Sequence, residues 1–215
     1  LAQQVPVVVE AGESWGTLDL GAGRRVQGEF VSANPTGPIT IGSARNAVIG
    51  DSLASVFEAA GYAVEREYYV NDAGSKVRKF GASILSRYGT LLGATIPFPE
   101  DGYPGAYVTA LAERAVSELG ATLLDLERDA AARELARLGI DWVLESVADD
   151  LGRLGVRFDT WFRETSLYES GLFDEVMKRL DAGGYLTERE DAVWFRHPDL
   201  EKDAVVIRSP RIAPD

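Results

Sequence analysis

The pattern of apolar and polar residues changes its period along the first part of the chain. Apolar and β-branched residues at 26–31 and 63–70 predict two strands. Between them, apolar residues from 44 to 60 recur at helical spacing and stop at Gly61, which predicts a helix. Residues 75–88 predict a second helix. A strand, one crossover helix and another strand together predict a parallel pair with a right-handed connection.

The later part of the chain has a more helical pattern. Residues 107–119 predict a helix, and 123–154 predict a long helical stretch that Gly139 could break. Its candidate core positions are Leu124, Leu135, Leu138, Trp142, Val143 and Val147. A helix at 171–181 follows. The last predicted elements are short strands at 193–196 and 204–207. We therefore expect an α/β fold with a parallel sheet and a small α+β lobe.

Composition narrows the class of protein. The chain has 215 residues, of which 46% are hydrophobic, enough to bury one substantial core. No stretch approaches the roughly 18–20 consecutive apolar residues of a membrane span, and the first residues lack a signal-peptide pattern. We expect a cytoplasmic protein with no membrane partner. The absence of cysteine and the single histidine, His197, argue against a structural metal site.

The charge balance argues against sequence-independent binding of nucleic acid. The 22 basic and 34 acidic residues give a net charge of -12, and phosphate backbones are bound mainly by Lys and Arg. A local basic patch could still bind RNA. The densest basic set is interpreted first as a solvated face, with a nucleic-acid contact as the alternative. It consists of Arg66, Lys76, Arg78, Lys79 and Arg87.

The loop after the first predicted strand is the candidate chemical site. Residues 32–38 are rich in Pro, Gly and Asn and lead to a predicted helix start near Ser43. A helix N-terminus offers unpaired N–H groups to an anion, and Gly42 would let a phosphate approach the backbone. The structural alternative is that Ser43 only caps the helix and the glycines only shape a turn.

Motifs spread along the chain form an ordered pattern. They are EFVSANPTGP at 29–38, GD at 50–51, EYYVNDAG at 67–74, LGVRFDTWF at 154–162, SLYESG at 166–171, VWF at 193–195 and VIRS at 206–209. In order and spacing these motifs resemble the arginyl-tRNA synthetases. The resemblance covers nearly the whole chain and corresponds to the front half of that family's catalytic region.

The resemblance implies a fold and a division into domains. It implies the first half of the Rossmann-like parallel sheet of class I synthetases, with a small α+β insertion lobe. A connecting segment at 1–25 would precede the first half of the catalytic domain and its helical extension at 26–158. Residues 159–215 would form the lobe and the start of the return to the catalytic domain. Because doubly wound sites form between two halves, we expect half a pocket.

The resemblance also implies that ATP, with Mg²⁺, is a ligand. Pro38, Gly42 and Ser43 fall in the family's ATP-binding turn. The His-x-Gly-His signature of that turn corresponds to Thr40, Ile41, Gly42 and Ser43 in this chain. Hydroxyl groups donate hydrogen bonds but do not become cations, and losing a preorganised donor costs on the order of 10²–10³ in rate. We therefore expect activation chemistry that is absent or strongly impaired.

The implied amino-acid ligand is L-arginine. Glu29, Ser32 and Asn34 fall where the family surrounds the ammonium group and nearby polar groups of arginine. Asp215 falls near the place where the family presents a carboxylate to the guanidinium. The structural alternative for Ser32 and Asn34 is a turn around Pro35.

Three functions stay open at this point. The chain could be a synthetase portion that binds L-arginine and ATP, and that uses tRNA only when further domains or a partner supply the contacts. It could be a degenerate paralogue that binds an amino acid or nucleotide as a regulator without forming an adenylate. It could be a protein-interaction module with an exposed apolar surface. An unpaired sheet edge also predicts self-association.

Overall fold

Two separate sheets organise the chain. The computed structural model describes residues 2–190, 192–196 and 204–207. The first sheet has parallel strands in the order β1-β2-β3, which are Arg25–Glu29, Ala63–Val70 and Thr160–Arg163. The second has antiparallel strands in the order β4-β5-β6, which are Leu186–Arg189, Ala192–Phe195 and Ala204–Ile207. The predicted α/β class and the parallel β1–β2 pair are therefore confirmed.

Helices connect the strands of the first sheet and lead to the second. They are α1 Gln4–Ala11, α2 Ile41–Ala59, α3 Ser75–Leu91, α4 Ala106–Leu119, α5 Arg128–Arg153, α6 Thr165–Glu169 and α7 Leu172–Ala182. Each helix predicted from periodicity is present, with ends that differ by a few residues. The break that Gly139 could have caused does not occur, because α5 continues through it. Within the described ranges, no helix is long and apolar enough to cross a membrane.

The sequence pattern missed α1, α6, β3 and β4. Strand β3 extends the first sheet, with Thr160 opposite Glu67 and Arg163 opposite Val70. Strands β3 and β4, TWFR and LTER, lack the continuous apolar run that predicted β5 and β6, AVWF and AVVI. Although β3 follows the expected boundary at residue 158, it pairs with β2 of the first sheet. The division into three segments stays a prediction.

Two glycines let α3 and α5 pack closely against each other. A Cβ atom at Gly139 would stand 2.6 Å from Cδ1 of Ile84, and one at Gly81 would meet the backbone carbonyl of Ala132. Four of the predicted core residues are buried around this contact, namely Leu135, Trp142, Val143 and Val147. Leu124 and Leu138 are partly buried against the same core. Gly139 is therefore explained by helix packing.

Helix α2 turns small residues toward the sheet and large apolar residues outward. Ala47 is fully buried, and Gly50 lies against the ring of Phe30. The outer face carries exposed apolar side chains at helical spacing, which are Val48, Ile49, Leu53 and Val56. The side chains that predicted this helix are thus left largely uncovered by the described part of the chain.

Arg66 on β2 attaches α2 to the sheet. Its guanidinium donates to Asp51 Oδ1 at 3.0 Å and to Glu58 Oε1 at 2.6 Å, and its backbone N–H donates to Asp159 Oδ2 at 2.8 Å. These hydrogen bonds raise the pKa of Arg66 above its ordinary value, although burial opposes the shift. Only 14% of the Arg66 side chain is exposed, so this residue does not belong to a solvated basic face.

The close contact of α3 with α5 predicts opposite effects for two glycine-to-alanine substitutions. Alanine normally stabilises a helix relative to glycine. At Gly81, however, the added Cβ meets the Ala132 carbonyl and stands 2.7 Å from Cβ of Ala136, so we expect Gly81→Ala to destabilise the protein by about 1–3 kcal/mol. At Gly152 of α5 nothing lies within 4 Å, and we expect Gly152→Ala to stabilise it by about 0.5 kcal/mol. Urea unfolding followed by circular dichroism measures both values, and equal effects would contradict this account.

Candidate functional site

The loop that follows β1 has a strained backbone. Val31 and Ser32 have positive φ angles of 65° and 39°, and the Ser32 N–H donates to the Phe30 carbonyl at 2.9 Å. This closes a three-residue turn around Val31, a conformation that is rare for a β-branched residue. Such strain costs about 1–3 kcal/mol per residue and persists only where surrounding contacts hold it.

Side chains from neighbouring elements hold this turn. Oδ1 of Asn46, in α2, accepts a hydrogen bond from the Val31 N–H at 2.6 Å. Oγ of Ser32 accepts one from the Tyr69 N–H, in β2, at 3.0 Å. Ser32 Oγ thus joins the loop to β2, a structural role other than the turn around Pro35, and its hydroxyl hydrogen has no acceptor among the described residues. Asn46 was not singled out from the sequence.

Tyr68 fixes the next residue of the loop. Its hydroxyl accepts from the Ala33 N–H and donates to the Ala33 carbonyl, each at 3.1 Å. The side chain is fully buried and stacks on Trp161 with ring centroids 4.4 Å apart. Burial raises the pKa of Tyr68 to about 12, so the hydroxyl keeps its hydrogen and can make both bonds. Asn34 follows this anchor, is exposed and has no hydrogen-bond partner within the part of the chain that the structure describes.

The residues at the start of α2 form a capping box. The Thr40 hydroxyl oxygen accepts from the Ser43 N–H at 3.3 Å, and the two hydroxyl oxygens are 3.3 Å apart. The cap is therefore Thr40, and the helix begins at Ile41. The helix thus starts two residues before the predicted Ser43, and Ser43 is the N3 partner of the capping box while Thr40 is the cap, because a Thr at the cap position satisfies a free N–H of the first turn.

The capping box leaves room for an anion at the α2 N-terminus. Among the described residues, the backbone N–H groups of Ile41 and Gly42 have no acceptor, and Ile41 is 90% exposed. A Cβ at Gly42 would meet only Thr40 Oγ1, at an ordinary distance of 3.4 Å, so packing does not require glycine there. Pro38 is exposed beside this turn. The site fits a phosphate through backbone N–H groups.

An acidic cluster lies at the ends of β2 and β3. Asp72 is 7% exposed and accepts hydrogen bonds from the Thr165 N–H at 2.9 Å and the Thr165 hydroxyl at 3.0 Å. Its carboxylate is also 3.5 Å from Nη1 of Arg163. Asp72 is therefore a compensated carboxylate, held in place by the segment that follows β3.

Glu164 is the less compensated member of this cluster. Its Oε2 is buried and has no hydrogen-bond partner among the described residues, while its carboxylate accepts a hydrogen bond from Tyr168. Burial and the charge of Asp72 raise the pKa of Glu164. Burial, Glu164, Tyr168, Asp72 and Glu29 together raise the pKa of Tyr69 to about 12. The negative potential at this edge suits a cationic group.

The structure brings together some of the residues that the sequence singled out. Glu29 is exposed at the end of β1 and lies near enough to Tyr69 to influence its pKa, whereas Asp215 lies outside the described residues.

Glu164 was missed, because it falls between the motifs at 154–162 and 166–171. No signal in the sequence pointed to Glu164, because β3, the strand that it follows, was itself not predicted. In the described part of the chain, no three His, Asp or Glu side chains are arranged to hold a metal ion.

Glu164 predicts a specific dependence of stability on pH. Its pKa is raised above the ordinary 4.5, so ionised Glu164 destabilises the folded state at neutral pH, and this penalty disappears as the pH falls through the folded pKa. We expect Glu164→Gln to be more stable than the wild type at pH 7, with the difference shrinking as the pH approaches 4.5. Urea unfolding at both pH values tests this, with Glu113→Gln on the exposed face of α4 as the neutral control. A less stable Glu164→Gln at pH 7 would refute it.

The sequence matches a family model and many relatives. The model, described as tRNA synthetases class I (R), catalytic domain, matches residues 6–88. An arginine–tRNA ligase of Geobacter sp. (strain M21) is 44% identical over 201 residues, which are 93% of this chain and 36% of that protein. The ligase of Syntrophotalea carbinolica is 46% identical over 204 residues, 94% of this chain and 37% of the relative. The chain thus spans little more than a third of the length of these relatives.

Solved structures agree with the sequence matches. A Campylobacter jejuni protein assigned as an arginyl-tRNA synthetase has a TM-score of 0.80 and 30% identity, over 96% of this chain and 45% of that one. The arginyl-tRNA synthetase of Thermus thermophilus has a TM-score of 0.57 over 87% of this chain and 34% of that one, and at 21% identity it supports the fold alone. By sequence and by fold, the chain corresponds to the front part of the catalytic region of class I arginyl-tRNA synthetases.

Proposed function

We propose that this chain supplies the amino-acid-binding part of an arginine–tRNA ligase site and takes L-arginine as its ligand. The observation that carries the proposal is Glu164, a partly buried carboxylate beside Asp72 whose Oε2 has no partner within the described residues. A cation placed there would satisfy this oxygen and relieve the repulsion between the two carboxylates.

The planar guanidinium of arginine suits this cluster better than a lysine ammonium does. A guanidinium can give two parallel hydrogen bonds to one carboxylate, whereas an ammonium acts as a point charge. Glu29, which is close enough to Tyr69 to influence its pKa, and the exposed amide of Asn34 are offered for the α-ammonium and α-carboxylate groups. Hydrogen bonds to Tyr68 and Asn46 fix the backbone of the loop after β1. The side chains of Glu29 and Asn34 are therefore preorganised for binding.

ATP is proposed to bind with its phosphates at the α2 N-terminus. The free N–H groups of Ile41 and Gly42 and the positive end of the helix dipole favour an anion, and Mg²⁺ would arrive with the nucleotide. The hydroxyls of Thr40 and Ser43 are already engaged in the capping box, which leaves little to stabilise charge in a transition state. This observation favours a second candidate function, binding of arginine and nucleotide without efficient adenylate formation.

We propose that the exposed apolar face of α2 is an interface. The candidate site lies at the end of β1, an edge strand of the described sheet, and doubly wound sites form where two halves meet. In the whole protein, further polypeptide would cover the exposed face formed by Val48, Ile49, Leu53 and Val56. In the isolated chain we propose that a second copy covers this face, since so many exposed apolar side chains on one face favour association.

Calorimetric titration with L-arginine, and with L-lysine for comparison, tests the amino-acid site. We expect arginine to bind at least about 10-fold more tightly than lysine, because a charge-assisted bidentate contact is worth about 1.5–3 kcal/mol. Glu164→Gln should remove most of this preference, and Glu113→Gln should leave it unchanged. An arginine affinity that is unaltered in Glu164→Gln, or no arginine binding at millimolar concentration, would contradict the proposal.

A separate titration with ATP, followed by arginine-dependent exchange of pyrophosphate into ATP, distinguishes the two candidate functions. Binding of both ligands without exchange supports the non-activating candidate. Exchange that appears in Thr40→His/Ser43→His but not in the wild type would assign the deficit to the two missing imidazoles. Exchange by the wild-type chain would show that the capping box does not prevent activation.

Sedimentation velocity tests the association through α2. We expect the wild-type chain to form concentration-dependent dimers and Leu53→Glu/Val56→Glu to remain monomeric, because two carboxylates would be buried in the interface. Leu91→Glu/Leu154→Glu is the matched control, since both leucines are also exposed, at 45% and 51%, but lie outside α2. A monomeric wild type, or dimers that survive the α2 substitutions, would rule out this interface.

A further inference from the structure

A pocket lined by four arginines lies between α3, α5 and the segment that follows β3. Its volume is about 330 Å³. Arg78 comes from the first turns of α3, Arg133 and Arg137 come from α5, and Arg163 ends β3. We call this set the arginine pocket. Its remaining lining is Asp72, Val77, Ala136, Ile140, Thr165 and Glu169.

Two of the four guanidinium groups are already neutralised. Arg137 donates to Glu134 at 2.6 Å, and Arg163 is 2.5 Å from Asp141 Oδ1 and 3.5 Å from Asp72 Oδ2. These contacts hold the two side chains in place and compensate for the carboxylate of Asp72. Arg137 and Arg163 therefore form one wall of the pocket.

The other two guanidinium groups are free. The guanidinium groups of Arg78 and Arg133 make no ion pair or hydrogen bond within the described part of the chain. Glu169 is the remaining carboxylate of the lining, and it is exposed. Two unpaired arginines thus line one concavity in a chain whose net charge is -12.

This arrangement matches the chemistry of a phosphate group. The guanidinium fork pairs with two phosphate oxygens at once, and the first turn of α3 adds the positive end of a helix dipole. We propose that the arginine pocket binds a phosphate group, supplied either by a free phosphate compound or by the backbone of an RNA strand. The site is separate from the α2 N-terminus; it shares Asp72, Thr165 and Arg163 with the acidic cluster, and its test uses phosphate probes without arginine.

Titrations of the whole chain at low ionic strength test this assignment. The probes are inorganic phosphate, pyrophosphate and a short single-stranded oligoribonucleotide. The pocket variant is Arg78→Gln/Arg133→Gln, and the charge-matched control is Arg153→Gln/Arg179→Gln, whose arginines are 77% and 79% exposed outside the pocket. Loss of two charge-assisted contacts should weaken binding at least about 10-fold in the pocket variant. The control should stay within about 2-fold of the wild type.

A third variant changes affinity in the opposite direction. Glu169→Gln removes the exposed carboxylate of the lining, so we expect it to tighten phosphate binding by about 2-fold through lost repulsion. Because a gain of affinity cannot come from a loss of folded protein, this variant separates a binding effect from a folding defect. Circular dichroism of each variant checks that the fold is retained.

The probes also identify the source of the phosphate. Tight binding of the oligoribonucleotide, with a salt dependence that weakens in the pocket variant, supports an RNA backbone. Binding of pyrophosphate or phosphate alone supports a free phosphate compound. The proposal is overturned if no probe binds, if the pocket variant and the control lose affinity equally, or if Glu169→Gln weakens binding.

Discussion

The hydrogen bonds between the Tyr68 hydroxyl and the backbone of Ala33 are the constraint on which the candidate site depends. They join the loop after β1 to the centre of the parallel sheet, so that the strained turn at Val31 is held from one side by β2 and from the other by Asn46 of α2. Burial keeps the Tyr68 hydroxyl neutral, with its pKa at about 12. Without this anchor, the loop would relax toward ordinary dihedral angles and the polar groups beyond it would lose their placement.

The acidic cluster shows the opposite relation between stability and binding. Asp72 is supported by Thr165 and Arg163 and adds to the order of the segment after β3. Glu164 stands beside it with a buried, unpartnered oxygen and a raised pKa, which is unfavourable for the empty protein. A carboxylate that costs stability while the site is empty, and gains a partner when a cation enters, has the energetics of a binding residue.

Long elements were predictable because one periodic signal was repeated over several turns or pleats. Strand β2 and helices α2, α3 and α5 were predicted in this way, and the motifs gave the family. Strand β3 was not predictable, since its residues TWFR form no continuous apolar run and it pairs with β2 across the helices α3, α4 and α5. Glu164 was missed for a related reason: its importance comes from burial next to Asp72, a neighbour distant in sequence. Periodicity in α2 predicted the helix but not that its apolar face would be uncovered.

The capping box shows why local sequence alone does not decide between structure and function at the start of α2. Thr40 and Ser43 satisfy each other and the helix terminus, so folding gives a sufficient reason for both hydroxyl side chains. Folding gives no such reason for Gly42, where a methyl group would meet only an ordinary contact, whereas free N–H groups occur in the first turn of any α-helix. The part of the turn that folding does not explain is the part that would face a phosphate. In the proposed function, a turn with free N–H groups but with hydroxyls at Thr40 and Ser43 is better suited to hold a nucleotide than to activate an amino acid with it.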